Sequence, residues 1–286
     1  MKKVLILGSG GMLGHMVYHY FKSLNKYNII DASFPLKVNS GSHLIDVTNK
    51  IELEGFILSN KPDIIINCIG VLLKGSSEDP SNAIYLNAYF PHQLSKILRS
   101  YGGKLIHIST DCVFSGKKGA YVETDIKDAR DTYGLSKALG EIDNSYDLTM
   151  RTSIIGPELK KNGEGLFHWF MNQTGSINGF TKMIWGGVTT LELAKAIHAA
   201  IEQELTGLIH ITNGQPISKY YLVTLINKIW KNNQTIIVST TGKMVNKSLS
   251  SCRSDFDFTI NSYSKMLTDQ YEWMLLNENL YHTIYK

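Results

Sequence analysis

Tyr133 and Lys137 have the residue types and the spacing for proton transfer near neutral pH. They lie one helical turn apart in Tyr133-Gly134-Leu135-Ser136-Lys137, so a helix would place both on one face. A free tyrosine phenol has a pKa near ~10, and a nearby ammonium brings that pKa toward neutrality. The pair predicts a proton donor and acceptor, with Lys137 also available to bind a ribose. An exposed helix face would show the same spacing.

Thr110 supports the chemical interpretation. It ends an apolar run in Ile106-His107-Ile108-Ser109-Thr110-Asp111-Cys112-Val113-Phe114, which predicts a buried strand. The carboxyl end of a strand in a parallel sheet is where such sheets bind ligands. Thr110 would hold a carbonyl oxygen there while Tyr133 protonates it. The three residues together predict the reduction of a ketone.

A glycine-rich segment near the N-terminus predicts a dinucleotide site. Gly8, Gly11 and Gly14 follow a short apolar strand and open a helix. Glycine at these positions permits a tight turn, close approach of a pyrophosphate and close packing of the helix on the sheet. The phosphates would then meet free N–H groups and the positive end of the helix dipole.

Asp31 bears on which dinucleotide binds. It ends the second predicted strand, where an acidic side chain would bind the ribose 2′-hydroxyl of NADH. Ser33 and Lys37 follow closely and would suit the 2′-phosphate of NADPH instead. Asp31 would also be ordinary as a turn residue, so the choice between NADH and NADPH stays open.

The elements that must position these groups alternate along the first two-thirds of the chain. Strands are predicted at 4–7, 28–31, 64–67, 105–109 and 148–152, and helices at 12–24, 50–59, 82–101 and 132–146. Apolar strands alternating with helices predict an α/β fold with a Rossmann-like, doubly wound parallel sheet.

The regular alternation of strands and helices ends after Arg151. Loops at 156–165 and 175–182 separate predicted helices at 190–204, 218–231 and 262–285 and strands at 208–211 and 235–238. We predict an NAD(P)-binding domain at 1–155 and a smaller α/β substrate-binding lobe at 156–286 that is intertwined with the first.

Composition excludes several classes of protein. Hydrophobic residues form 43% and charged residues 19% of the chain, which is typical of a globular enzyme and not of a disordered chain. The 29 Lys+Arg balance 25 Asp+Glu without a basic run, which argues against a nucleic-acid partner. No apolar stretch approaches the ~20 residues that cross a bilayer. Three scattered cysteines and no metal-binding spacing predict a cytoplasmic protein without a metal.

Several ordered motifs together resemble the extended short-chain dehydrogenase/reductases, most closely their dTDP-4-dehydrorhamnose reductase branch. Besides the segments above, they are Asp46-Val47-Thr48, Pro62-Asp63-Ile64-Ile65-Ile66-Asn67-Cys68, Asn87 and Arg151-Thr152-Ser153. The resemblance covers residues 1–156 well and continues weakly beyond. It implies NADPH or NADH and the reduction of the C4 ketone of a nucleotide-diphosphate 6-deoxysugar for surface polysaccharide. Such relatives can be homodimers.

The resemblance implies a role for each matched position. The catalytic set is Thr110, Tyr133 and Lys137. With Gly14 and Asp31, identified above from the residues alone, the cofactor-binding set is Gly8, Gly11, Met12, Leu13, Gly14, Asp31, Asp46, Val47, Cys68, Ile69, Gly70, Asn87, Tyr133 and Lys137. The expected substrate contacts are Asp111, Cys112, Val113, Arg151, Trp185 and Arg253.

The resemblance weakens at the substrate positions. Ile154 stands where these reductases usually carry Trp, Met183-Ile184-Trp185-Gly186 replaces Asp-Gln-Phe-Gly, and Ser251-Cys252-Arg253-Ser254 replaces a segment with Arg-Pro. Trp185 would either stack on a sugar or pack between the lobes, and Arg253 would either clamp a diphosphate or stay solvated. The hydride chemistry is therefore better supported than the sugar, and the nucleotide (dTDP, UDP or GDP) stays open.

Three other functions are compatible with parts of the sequence. A 4,6-dehydratase would need an Asp-Glu pair where the chain has Asp111-Cys112. An epimerase-reductase resembling GDP-fucose synthase would use Cys112, its thiol activated beside a cation such as Lys137, with His168 as a second group; packing roles are the simpler expectation for both. A non-catalytic dinucleotide-binding regulator would usually lack Tyr133 or Lys137.

Overall fold

The computed structural model describes residues 1–285. Its strands are β1 (Lys3–Leu7), β2 (Asn28–Ser33), β3 (His43–Leu44), β4 (Ile64–Asn67), β5 (Lys104–Thr110), β6 (Leu148–Thr152), β7 (Ile154–Ile155), β8 (Ser176–Phe180), β9 (Met183–Trp185), β10 (Val188–Thr189), β11 (Gly207–His210), β12 (Ile217–Ser218), β13 (Ile236–Thr240) and β14 (Val245–Asn246). Its α-helices are α1 (Met12–Leu24), α2 (Lys50–Asn60), α3 (Leu73–Glu78), α4 (Pro80–Ala83), α5 (Phe90–Arg99), α6 (Thr132–Leu139), α7 (Leu166–Met171), α8 (Thr190–Glu202), α9 (Lys219–Trp230), α10 (Tyr263–Leu276) and α11 (Glu278–Tyr281).

A seven-stranded parallel sheet forms the centre of the molecule. Its strand order is β11-β6-β5-β4-β1-β2-β3, so the order reverses between β1 and β4. Apolar runs such as Ile64–Ile66 are buried, because helices cover both faces: α1, α8 and α10 on one, and α2 and α5 on the other. The predicted Rossmann-like α/β fold is confirmed. No helix within residues 1–285 is long and apolar enough to cross a membrane.

The chain after residue 155 returns to the main sheet. Strand β11 pairs in parallel with β6, with Gly207 opposite Leu148, and α8 packs on α1. The rest of this part forms small sheets, in which β9 lies between β12 and β14, and β8 pairs with β13. The two parts are therefore interwoven, and the boundary at 155/156 stays a prediction.

Several predicted elements differ from the structure. The segment 175–182 is not only a loop, since it contains β8. The helix predicted at 82–101 contains a π-helical segment, Ile84–Tyr89. The helix predicted at 132–146 ends at Leu139, where the next residue, Gly140, lies so close to the backbone that an added Cβ would be 1.9 Å from the Asn87 carbonyl oxygen.

The early end of α6 lets Glu141 turn into the protein and pair with Arg151 of β6. Arg151 Nε and Nη2 donate to the two Glu141 carboxylate oxygens at 2.8 and 2.7 Å, and Ser109 Oγ donates to the same carboxylate at 2.6 Å. Burial raises the pKa of Glu141, but the hydrogen bonds and charge of Arg151 outweigh it, and the net shift is downward. Arg151 Nη1 also lies 2.6 Å from His210 Nε2. The pair thus joins the end of α6 to three strands.

Replacing Arg151 should destabilise the fold severely. Arg151→Met leaves the Glu141 carboxylate buried and unpaired, and breaking one side of a buried pair costs about 3–5 kcal/mol. Urea denaturation of wild type and variant measures this free energy of unfolding. Lys127→Ala is the matched control, because Lys127 contacts the same carboxylate at 3.2 Å from a partly exposed position and should cost under about 1 kcal/mol. Equal costs for the two variants would contradict the role given to Arg151.

Candidate active site

The carboxyl ends of the central strands open into a cavity of about 390 Å³. It lies at the reversal of strand order, which is where open α/β sheets bind ligands. Thr110, Tyr133 and Lys137 all line it. The other predicted site residues along its wall are Gly11, Met12, Leu13, Cys68, Ile69, Gly70, Asp111 and Cys112. Residues predicted from separate parts of the sequence therefore meet in one place.

The three glycines of the N-terminal loop serve different purposes. Gly8 has a φ of +82°, and a Cβ on Gly14 would lie 2.0 Å from the Gly8 carbonyl oxygen, so the turn and its packing require both. A Cβ on Gly11 would meet only the Gly8 oxygen, at 3.3 Å. Helix α1 starts after Gly11 without a side-chain cap, which leaves first-turn N–H groups free for an anion. The loop fits a pyrophosphate.

Close approach of α6 to the end of β5 brings Tyr133 beside Thr110. A Cβ on Gly134 would lie 2.4 Å from the Cys112 carbonyl oxygen, so only glycine permits this packing. Thr110 Oγ1 accepts from the Cys112 N–H and donates to Asp111, both at 3.1 Å. Burial raises the pKa of Tyr133. The charges of Cys112 and Asp111 add to this increase, and a hydrogen-bonding contact with Thr110 opposes it. The phenol therefore keeps its proton at neutral pH.

Lys137 is buried below Tyr133 in the same helix. Its Nζ donates to the Ile108 carbonyl oxygen at 2.7 Å. Burial lowers the pKa of Lys137 to about 8, although the charges of Glu141 and Cys68 oppose the decrease. A lysine in this setting changes its protonation near neutral pH.

Asn87 lies beneath the cavity and does not line it. Its side chain accepts from the Val71 N–H at 2.9 Å and donates to the Val71 carbonyl oxygen at 3.0 Å. It also donates to Ser136 Oγ at 3.2 Å. Asn87 therefore ties the loop after β4 to α6 and holds two walls of the cavity together.

Asp31 is not at the end of β2, which continues to Ser33. Its buried carboxylate accepts a hydrogen bond from Ser9 Oγ at 2.7 Å, and it does not line the cavity. Ser33 ends the strand, with its Cβ 3.8 Å from a Cβ built on Gly10. The prediction misplaced the end of β2, because the sequence Asp31-Ala32-Ser33 resembles a turn.

Asp46 and Val47 also lie outside the cavity wall. Asp46 accepts from the N–H and the hydroxyl of Thr48 at 3.0 and 2.7 Å. The Val47 carbonyl oxygen accepts from Tyr85 Oη at 3.2 Å. Both residues shape the turn that leads into α2, and their cofactor role stays a prediction.

Four predicted substrate contacts are not in the cavity. Arg151 is held by Glu141, and Val113 is fully buried in a small cluster with Phe114. Trp185 donates to Ser153 Oγ at 2.8 Å and packs against Tyr263, in agreement with the packing interpretation; its stacking on a sugar stays a prediction. Arg253 donates to the Thr206 carbonyl oxygen at 2.6 Å and to Asp255 at 2.8 Å, and its role as a diphosphate clamp stays a prediction.

Cys112 and His168, the two groups that the epimerase alternative would use, lie in surroundings that differ from the expected ones. Burial and the charge of Asp111 raise the pKa of Cys112 to about 12, the opposite of the expected activation beside Lys137. His168 is buried and bonded through its two ring nitrogens to Tyr285 Oη at 3.0 Å and the Lys161 carbonyl oxygen at 3.1 Å.

One wall of the cavity was missed by the sequence reasoning. The loop after β7 contributes Glu158, Leu159, Lys160 and Gly165. Glu158 accepts from the Gly165 N–H at 2.7 Å, and a Cβ on Gly165 would lie 2.4 Å from Met12 Cε. The loop therefore rests on the glycine-rich segment. Its glycines predict a loop but do not indicate where it lies.

Solved structures of similar proteins share this architecture. A hypothetical dTDP-4-dehydrorhamnose reductase from Sulfolobus tokodaii is 27% identical, covers 92% of this chain and 98% of that one, and has a TM-score of 0.76. A dTDP-4-dehydrorhamnose reductase from Bacillus anthracis str. Ames, in complex with NADP, is 22% identical, covers 96% and 99% of the two chains, and has a TM-score of 0.81.

Curated relatives differ in how much of their length is matched. A dTDP-4-dehydrorhamnose reductase of Aggregatibacter actinomycetemcomitans is 33% identical over 49% of this chain and 46% of its own. A dTDP-4-keto-6-deoxy-D-glucose reductase of Streptomyces niveus is 25% identical over 77% of this chain and 76% of its own. The methionine adenosyltransferase 2 subunit beta of Xenopus laevis is 28% identical over 49% of this chain and 42% of its own. The chain thus matches less than half the length of the first and third.

The sequence model of one protein family, described as the RmlD substrate binding domain, matches residues 1–258. That span includes the main sheet, every residue of the cavity wall and most of the part that follows β7. The resemblance seen in the sequence motifs is thereby confirmed, and the chain belongs to the RmlD substrate binding domain family.

Proposed function

We propose that the protein is an NAD(P)H-dependent reductase of the C4 ketone of a nucleotide-diphosphate 4-keto-6-deoxysugar. The observation that carries the proposal is the convergence of Thr110, Tyr133 and Lys137 on the cavity that the glycine-rich loop also lines. The two reductases among the curated relatives support the substrate class. Such a product would serve surface polysaccharide synthesis.

The chemistry needs a hydride on the carbonyl carbon and a proton on its oxygen. The dinucleotide, when bound, supplies the hydride. Tyr133 donates its phenolic proton to the oxygen, since burial keeps that proton in place at neutral pH. Thr110 has one hydroxyl proton, which it donates to Asp111 in the structure; with substrate bound it would donate that proton to the same oxygen instead, as negative charge develops there. Lys137, in its protonated form, stabilises the phenolate that remains.

The domain division, the cellular compartment and the oligomeric state belong to the same proposal. We expect the division into a dinucleotide-binding domain at 1–155 and a substrate lobe at 156–286 to hold functionally, although the two share the main sheet. The free cysteines Cys68, Cys112 and Cys252 are consistent with a reducing cytoplasm. A homodimer remains part of the expectation from the family.

A role as a partner subunit is the second candidate. The similarity to the methionine adenosyltransferase 2 subunit beta favours it, since that relative is a subunit of another enzyme. The intact Tyr133 and Lys137 favour catalysis over this alternative. Turnover of a ketosugar by the purified chain separates the two.

Tyr133→Phe should reduce turnover by about 10²–10⁴-fold, because it removes the proton donor and general acid catalysis contributes about that much. NAD(P)H oxidation against a panel of freshly prepared nucleotide 4-keto-6-deoxysugars measures kcat. Tyr221→Phe is the control, since Tyr221 is an exposed phenol outside the cavity wall. No oxidation by the wild type with any dTDP, UDP or GDP sugar would contradict the proposed function. A Tyr133→Phe enzyme with most of its kcat would assign the proton to another group.

Gly11→Val should raise the Kd for the dinucleotide at least tenfold, a loss of about 1.4 kcal/mol or more. The side chain would fill the space in front of α1, and its Cβ would meet only the Gly8 carbonyl oxygen, at 3.3 Å. Calorimetric titration with NADPH and NADH measures the Kd, and Gly55→Val is the control, because nothing lies within 4 Å of a Cβ at that exposed helix position. Unchanged binding in a folded Gly11→Val variant would exclude this loop as the dinucleotide site.

Asp31→Ala should weaken NADH and NADPH equally, because its carboxylate bonds to Ser9 and not toward the cavity. Lys37→Ala should weaken NADPH alone, since Lys37 is an exposed cation shortly after the end of β2. Calorimetric Kd values for both dinucleotides give the ratio. A selective loss of NADH binding in Asp31→Ala would restore the ribose role that the sequence suggested.

A further inference from the structure

His107 is buried in the sheet next to the proposed site, and the mechanism above does not use it. It lies on β5 with no exposed surface. One ring nitrogen, Nε2, is 3.4 Å from Lys137 Nζ, and the other, Nδ1, is 3.2 Å from the Asn67 side-chain nitrogen. A chain of three polar side chains therefore leads from β4 to the lysine.

The orientation of Asn67 determines which ring nitrogen of His107 carries the proton. The Asn67 carbonyl oxygen Oδ1 accepts a hydrogen bond from the Ile69 N–H at 3.1 Å. Its Nδ2 must then face His107, and because an amide NH₂ only donates, Nδ1 must be the acceptor. A neutral imidazole that accepts at Nδ1 carries its proton on Nε2.

The proton on Nε2 points toward the amine of Lys137. If Lys137 is protonated, its three N–H groups are all donors, and the Nε2–H finds no acceptor on it. If Lys137 is neutral, its nitrogen lone pair can accept from the Nε2–H. The Ile108 carbonyl oxygen accepts from the same Nζ at 2.7 Å and is satisfied by either form. The arrangement therefore favours the neutral amine.

We propose that His107 is a positioning residue for Lys137, and that its Nε2–H, oriented by Asn67, hydrogen-bonds the neutral amine and lets the lysine lose its proton inside the buried site. The effect of His107 on catalysis rests on the proposed reductase function. In that function, a lysine that exchanges a proton near neutral pH can change its charge when Tyr133 gains or loses its proton.

Burial is the largest cause of the lowered pKa of Lys137, and no neighbouring charged group among residues 1–285 adds to the decrease. Glu141, after α6, and Cys68, after β4, raise the pKa of Lys137. Burial holds the pKa of His107 well below its usual value, and Lys137 and His92 of α5 add to the decrease. The imidazole is therefore neutral across the working range, and its donor at Nε2 acts as a dipole and not as a charge.

The tautomer is measured on the wild type, without substrate, by ¹⁵N–¹H correlation of the imidazole rings from about pH 6 to about pH 9. We expect one buried histidine, absent in His107→Phe spectra, with a protonated Nε2 and a bare Nδ1 throughout. If Nδ1 carries the proton, the proposal is overturned. The tautomer is read from the wild type itself, in which Asn67 and His107 are both present. If His107→Phe does not fold, the His107 signal can be assigned through its coupling to Asn67.

The lysine is followed through the ¹³Cε signal of labelled lysine, which is assigned by its loss in Lys137→Met. In His107→Phe the neutral amine loses its donor, so the pKa of Lys137 should rise by about half a unit or more. In His107→Gln the side chain can accept from Asn67 and donate to Lys137, so the value should return toward that of the wild type. An unchanged or lowered pKa in His107→Phe would overturn the proposal.

The activity arm separates this inference from the proposed function. If the wild type reduces a ketosugar, the alkaline limb of kcat/KM should move to higher pH in His107→Phe and return in His107→Gln, since the protonated lysine persists to higher pH. Reduction without such a movement overturns the inference alone. The expected lysine titration without reduction of any nucleotide sugar overturns the function and leaves the role of His107 in Lys137 protonation supported.

Discussion

The buried pair between Glu141 and Arg151 holds the site in place. Helix α6 carries Tyr133 and Lys137 and ends two residues before Glu141, so the carboxylate anchors that helix to the sheet through a bidentate contact. Two buried charges are costly unless each is paired and hydrogen-bonded, and here Ser109 and Lys127 complete the set. The same carboxylate opposes the loss of charge on Lys137, so one interaction acts on both the position and the protonation of the lysine.

Glycines at the two ends of α6 set how near the helix can come. Gly134 lies against the turn after β5, and Gly140 lies against the backbone of Asn87. At each place the contact is between backbone atoms, so even a methyl group would force the helix outward. The distance between Tyr133 and Thr110 therefore depends on residues that take no part in the chemistry.

The fold and the centre of the site could be predicted because their signals are local. Apolar runs such as 64–67 and 148–152 mark buried strands, and the spacing of Tyr133 and Lys137 is read within a single helix. Arg151, Trp185 and Arg253 could not be placed, because their partners Glu141, Ser153 and Thr206 come from other segments, and a charged or aromatic side chain looks the same in sequence whether it binds a ligand or the protein. The loop 156–165 was missed as a cavity wall for a similar reason, since its contact with Met12 exists only once the chain has folded.

The glycines of the N-terminal loop would respond differently to selection for folding and to selection for ligand binding. The protein's own backbone requires glycine at positions 8 and 14, whereas a Cβ at Gly11 would meet only one backbone atom, the Gly8 oxygen at 3.3 Å. A library of variants sorted for folded protein would therefore lose substitutions at Gly8 and Gly14 and retain those at Gly11. A sort that includes the proposed dinucleotide is needed to detect the third glycine, because thermal stability alone reports mainly on Gly8 and Gly14.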